Sequence, residues 1–220
     1  MRGEKRIPVE RHPKPYRFLH WLIVAEMFIL LITGLNLSEG FNLAIVSRSI
    51  ARPVHIVVAF AWLATVVLFI YYFIMIDEYR WFGLARLGRA IDAFVEEIRA
   101  FLKGEKLPEP IRYDPRKGEY VEKTYPTEVL AWWLWVLIWF ILATTGLALL
   151  FPSNFGLVNR FWHAVIADYE KATEATRAAH YLTAIAVIVV VLIHGYLVIL
   201  TGIWRSIIFG TREEPIVESE

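Results

Sequence analysis

Residues 180–201 read HYLTAIAVIVVVLIHGYLVILT, two histidines separated by a run in which Thr183 is the one residue that is not apolar. A run of that length and character is a membrane-spanning helix. His194 follows His180 by close to four helical turns, so both imidazoles leave the same helix face, ~21 Å apart along the axis. Polar side chains at such depth are costly and face a bundle interior. Two on one stripe point either to ligands for something held between helices or to interfacial histidines whose ring nitrogens are otherwise satisfied.

Three more runs have the ~20 residues a helix needs to cross the hydrocarbon. With the first, the spans are 18–37, 54–76, 129–150 and 181–203. Hydrophobic residues make up 57% of the 220, and mean hydropathy is +0.48. No alternating ten-residue pattern of a barrel strand occurs. The expected fold is an all-α integral membrane protein, a bundle of four transmembrane helices. Of the 23 Lys and Arg, 18 lie in 1–17, 77–128 and 204–220. That excess places both termini on the cytoplasmic side. The expected organisation is a cytoplasmic arm (1–17), a four-helix domain (18–205) with an inner loop (77–128), and a cytoplasmic tail (206–220). The first apolar run follows basic residues as a signal peptide does, but its length and the lack of a small-residue cleavage site make it a retained helix. Cysteine is absent. Disulfides, thiolate zinc sites and cysteine-held clusters are excluded, and a cofactor falls to histidine.

Helix one opens on RFLHW, with His20 near its inner end and Arg17 just outside it. Glu26, ~9 Å deeper, is a candidate for a proton relay or for a plain buried hydrogen bond. Arg52 and Pro53 are expected to start helix two, with His55 at once behind them. Residues 82–103 form an amphipathic helix, at the inner interface or against a soluble partner. The charged, proline-bearing segment that follows is an ordered loop or extended ribbon. Helix three carries four tryptophans and no histidine, and its TTGLAL echoes the TGLNL of helix one. Gly34 and Gly146 in those motifs permit close approach of a flat cofactor or a neighbouring backbone; ordinary small-residue packing is the alternative. His12 is assigned to solvent as a surface histidine, and His163 to solvent or interface.

Threading the helices alternately through the membrane sorts the four remaining histidines into two levels: His55 with His180 outside, His20 with His194 inside. Zinc takes four ligands, or three and an open position, and two histidines per level fall short of that. Haem brings four ligands of its own and needs two axial ones, so two bis-histidine b haems fit the count. Such iron has no vacant position, and the matching task is electron transfer. Arg17 and Arg205 inside, Arg52 and Arg177 outside, are candidates for haem propionates or for lipid-headgroup anchors.

RFLHW with a later TGL, a histidine opening helix two, and two histidines spaced as above followed by GYL resemble the di-haem cytochrome b subunits of respiratory formate dehydrogenases, nickel-iron hydrogenases and thiosulfate reductases. The resemblance spans residues 17–205. It implies that His20, His55, His180 and His194 are axial ligands. It also implies a prokaryotic cytoplasmic membrane, and electrons passing between the iron-sulfur and catalytic subunits of a partner oxidoreductase and menaquinone or ubiquinone at the inner haem. The family's quinone segment before helix three is not matched here; Tyr113 and Asp114, or Tyr125 and Glu128, occupy its place, and Asp77 is a further acid on that side. Two other readings are a stand-alone di-haem cytochrome b and, in another class, a haem-free membrane anchor or transporter.

Overall fold

The computed structural model describes residues 5–38, 40, 45–105, 109–166 and 172–217. In chain order they form β1 (Arg6–Glu10), α1 (Lys14–Leu37), α2 (Arg48–Met75), two 3-10 turns (Glu78–Phe82 and Leu84–Arg86), α3 (Leu87–Leu102), β2 (Arg112–Asp114), β3 (Glu119–Glu122), α4 (Pro126–Leu150), α5 (Gly156–Val165), α6 (Ala172–Leu200), α7 (Trp204–Phe209) and β4 (Thr211–Pro215). The four helices long and apolar enough to cross a membrane are α1, α2, α4 and α6. Large apolar side chains such as Val57, Phe140, Leu192 and Ile199 are exposed along them, as lipid-facing residues are.

The helices outrun the apolar runs. Ser47 accepts the N–H groups of Ile50 and Ala51 at 3.0 and 2.9 Å, so α2 starts at Arg48 and Pro53 falls in its second turn rather than its first. The ring there removes one bond, to the carbonyl of residue 49, close to an open helix end. Likewise α6 begins at Ala172, which puts His180 more than two turns inside it. Polar entry turns of this kind are held by local bonds: Thr176 Oγ1 lies 2.6 Å from Asn159 Oδ1 of α5. Hydropathy does not register them.

The chain divides into two compact units, residues 1–18, 69–134 and 197–220 in one, and 19–68 with 135–196 in the other. In the first, the arm and the tail are one sheet: β1 and β4 pair antiparallel, Arg6 opposite Pro215 and Glu10 opposite Thr211. The two termini therefore lie on the same side of the membrane. Between α6 and β4 the chain turns at Gly202 (φ 72°), forms α7, and turns again at Gly210 (φ 93°), a conformation open to glycine. The ribbon of the inner loop is the hairpin β2–β3, tied to the tail where Val217 N–H donates to the Tyr113 carbonyl at 3.0 Å. Ile111, Tyr125 and Ile203 form its small core. Phe73 stacks on Trp132 with centroids 4.2 Å apart. The amphipathic α3 buries Ala90 and Ala100 and leaves Ile91, Val95, Ile98 and Leu102 exposed, as an interfacial helix does.

Charge holds this unit together. Glu214 is fully buried and accepts from Arg11 at 3.3 Å, Arg212 at 2.5 Å and the Tyr120 hydroxyl at 3.3 Å. Arg11 also reaches Glu128 at 3.1 Å, and Arg212 reaches Glu109 at 2.8 Å. Arg6 pairs with the same Glu109, and Lys123 with Glu78. The cluster thus ties the N-terminal segment, the inner loop, α4 and β4 to one another.

The second unit holds the remaining parts of the four long helices, with α5. Small or polar residues bring them together: Ala51, Thr145, Ala148, Ala175 and Thr176 are fully buried. Asn36 closes α1 by donating to the Val46 carbonyl at 2.8 Å and accepting from Ile45 N–H at 3.0 Å.

Two outcomes follow from the ionic cluster. Glu214→Ala removes one charge-assisted hydrogen bond from each of two buried guanidinium groups, which keep Glu128 and Glu109, and at roughly 1.5–3 kcal/mol per bond is expected to cost about 3–5 kcal/mol, read as a lower thermal unfolding midpoint in detergent. A loss under about 1 kcal/mol would show a solvated, surface-like cluster. Burial pushes the Glu109 carboxyl up, but hydrogen bonds from Arg6 and Arg212 outweigh it and hold it below its usual range. Its stabilisation is complete above the ordinary carboxylate pKa and is lost as the pH falls through the lower folded value. Glu109→Gln should flatten that part of the acid-unfolding curve.

Candidate functional site

All four histidines of the two expected levels lie in the second unit. At the outer level the rings of His55 and His180 stand 6.4 Å apart between centroids, at 75° to each other. Two imidazole nitrogens ~2.0–2.1 Å from one first-row metal ion, on rings of radius ~1.2 Å, put collinear centroids ~6.4 Å apart. The observed separation leaves room for one ion between the two rings.

The other nitrogen of each ring is held. Thr33 Oγ1 lies 2.9 Å from His55 Nδ1, and Thr145 Oγ1 lies 2.8 Å from His180 Nδ1. Each threonine hydroxyl already donates into its own helix, to the Ile29 carbonyl at 2.7 Å and the Ile141 carbonyl at 2.5 Å. A hydroxyl has one proton to give, so the histidine Nδ1 carries the hydrogen and donates. The Leu30 and Leu142 carbonyls are further partners of the same two rings. Nε2 is thereby left as the lone-pair nitrogen, the form that ligates a metal.

The glycine after each threonine makes room for the ring. A Cβ on Gly34 would come within 3.2 Å of His55 Cε1, and one on Gly146 within 3.4 Å of His180 Cε1. What approaches each glycine is an imidazole of the neighbouring helix, neither the flat cofactor nor the backbone expected. The echo between TGLNL and TTGLAL is thus a repeated histidine seat, one on α1 for a ring of α2 and one on α4 for a ring of α6.

At the inner level His20 and His194 are electrostatic neighbours. His20 Nδ1 is buried with no hydrogen-bond partner among the described residues. An orphaned ring nitrogen inside a membrane helix is expensive unless a ligand completes it. Trp135 meets the His194 ring edge-on at 6.2 Å, and Trp139 and Trp62 continue the aromatic wall at 6.4 Å steps. No group of three or more His, Asp or Glu gathers at a metal-binding distance among the described residues. Pairs of histidines in an apolar setting, one pair with Nδ1 already committed, fit a group that brings its own equatorial ligands, which is haem.

The other residues singled out by sequence have their own partners. Arg17 donates to the Ile208 carbonyl at 2.6 Å and lies against Gly210. Arg52 and Arg177 are exposed, and so is Arg205, whose guanidinium sits over the Trp204 ring. Tyr113 packs edge-on against Tyr120, and Asp114 caps the β2–β3 turn by accepting from Arg116 N–H at 2.9 Å. Tyr125 is buried, and burial first, with the Glu109 charge second, pushes its phenol up to about 12. Glu128 accepts from Arg11. None of these four lines the cavity of about 220 Å³ bounded by Arg86, Arg89, Glu122, Thr124 and Pro126. His12 is not a solvated residue: its Nδ1 is 3.0 Å from Ser206 Oγ and its ring stacks on Tyr16. His163 is half-buried on α5. Sequence reading passed over Thr33 and Thr145, although both stand directly before the glycines it noted.

Removing either seat tests its role. Thr33→Val and Thr145→Val, near-isosteric changes that delete the acceptor, should each weaken haem binding about 10–100-fold. Haem retained through a detergent wash measures this, and retention equal to the unaltered protein would contradict it.

No curated protein matches the chain. The model of the family described as prokaryotic cytochrome b561 matches residues 11–210, a stretch that includes all four histidines and both Thr-Gly seats, and the chain belongs to this family of membrane haem b electron-transfer proteins.

Proposed function

We propose that this chain is the membrane-anchoring, di-haem b subunit of a larger oxidoreductase, carrying electrons across the membrane between a partner subunit on the outer face and a quinone near the inner level. The observation that supports this reading is the outer pair, His55 and His180, with rings 6.4 Å apart and each Nδ1 held by Thr33 or Thr145. Membership of a family whose cytochromes typically work with oxidoreductase subunits supports the partner. A b haem bound at each level would supply reversible one-electron chemistry with no open iron position.

The chain's residues supply the rest. His55 and His180 present Nε2, and the Nδ1–H···Oγ bonds fix ring direction and raise ligand basicity. His20 and His194 offer the inner pair. Trp62, Trp135 and Trp139 keep water from the layer between the levels. The excess of Lys and Arg in the segments at the terminal side favours cytoplasmic termini, which assigns His20 and His194 to the cytoplasmic half. Quinone chemistry needs a proton donor or acceptor. Glu128 and Tyr125 precede or open α4 on the terminal side and are the candidates retained for it; Asp114, bound into its turn, is the weakest.

His194→Ala is expected to remove one haem of two, to leave the outer one spectrally intact, and to abolish electron exchange with a soluble quinone analogue. Loss of both haems from a folded protein would contradict the two-level pairing. Purification of the unaltered protein from its native membrane should bring partner subunits with it; a lone di-haem cytochrome would favour a stand-alone quinone oxidoreductase.

A further inference from the structure

Glu26 is the one acid or base in residues 21–37 of α1, and residues 56–68 of α2, 135–150 of α4 and 182–193 of α6 contain none. It lies six residues past His20 and seven before Thr33, ~9 and ~10.5 Å along the helix. It therefore stands between the two histidine levels. Only 8% of the residue is exposed. Its Oε1 is 3.0 Å from Thr65 Oγ1 of α2, and the buried Oε2 has no partner among the described residues. The titratable groups on either side in depth are His20 with His194 and His55 with His180. As ligands, these keep their metal-bound nitrogens free of protons.

The Thr65 hydroxyl has one proton and two acceptors in reach, Glu26 Oε1 at 3.0 Å and the Ala61 carbonyl at 3.1 Å. With Glu26 protonated, its O–H donates to Thr65 Oγ1 and Thr65 donates to Ala61. With Glu26 ionised, the Thr65 hydroxyl turns and donates to Oε1. Each charge state has a complete arrangement at that oxygen, and gain or loss of the proton requires only that one hydroxyl rotate. A carboxylate at this depth is costly unless a nearby positive charge offsets it.

We propose, building on the di-haem reading, that Glu26 is a redox-linked proton site: its carboxylate takes up one proton when an adjacent haem gains an electron and releases it when the electron leaves. A haem held at either level would supply the one-electron change, with the electron drawn from the partner subunit or the quinol. The proton comes from water at a membrane surface and forms the carboxylic O–H. Ferric haem carries one more positive charge than ferrous haem, and that charge favours the carboxylate through a medium of low dielectric constant. Reduction removes it and the acid form takes over.

Equilibrium redox titration of the purified full-length protein, repeated across the neutral pH range, tests this. In the unaltered protein one haem potential should fall as pH rises, approaching ~59 mV per pH unit, the one-electron equivalent of a tenfold change in proton activity. Glu26→Gln should retain both haems and lose that slope. The slope persisting in Glu26→Gln, or absent from the unaltered protein, overturns the proposal. Reduced-minus-oxidised infrared spectra of the unaltered protein give a readout free of any folding defect in the variant. They should gain the carbonyl stretch of a protonated acid on reduction, and its absence also overturns the proposal. Failure to find haem in the unaltered protein is seen before any titration and overturns the di-haem reading itself.

Discussion

An imidazole inside a lipid-spanning helix has two nitrogens and no water to satisfy either. The hydrogen bond from Nδ1 to a threonine on the neighbouring helix answers for one of them at His55 and again at His180. Much of the second unit follows from making that bond. The threonine must sit within reach, so a glycine beside it removes a Cβ that would crowd the His55 ring at 3.2 Å and touch the His180 ring at 3.4 Å. The threonine hydroxyl must accept, so its own proton goes to a carbonyl one turn back. What remains is a lone pair on Nε2, directed by construction and costly to leave unused.

The first unit solves a different problem with charge. Its two sheets are short, and beside the cluster of Ile111, Tyr125 and Ile203 it buries Val9, Phe69, Phe73 and Val129. Arg11, Arg212, Glu109, Glu128 and Glu214 instead form a connected set in which the buried carboxylate receives three donors. Such a network is stabilising only when every member is paired. Its members come from the N-terminal segment, the inner loop, α4 and β4, so segments remote in sequence are specified as one body.

The spans were legible because apolar length is a direct reading of bilayer thickness, and the histidine levels followed from alternate threading. The helix ends were not: the polar first turns of α2 and α6 depend on Ser47 and on Asn159 with Thr176, which hydropathy does not register. Gly34 and Gly146 were visible as a repeated motif, yet the threonines beside them were not, because threonine in a membrane helix ordinarily bonds its own backbone. These two do so and accept a histidine as well. The pairing of β1 with β4 joins residues some 200 apart, and a charged arm with prolines and a charged tail do not announce each other. Nothing local to His12 reveals that Ser206 bonds its ring and Tyr16 stacks on it.

The central claim is that the four histidines hold two haems, one at each level. A pyridine haemochrome assay against quantitative amino-acid analysis of the purified, haem-replete protein addresses it most directly. The account predicts two b-type haems per chain. One per chain would contradict the inner pair or the outer pair, and none in a folded sample would contradict the ligand assignment altogether.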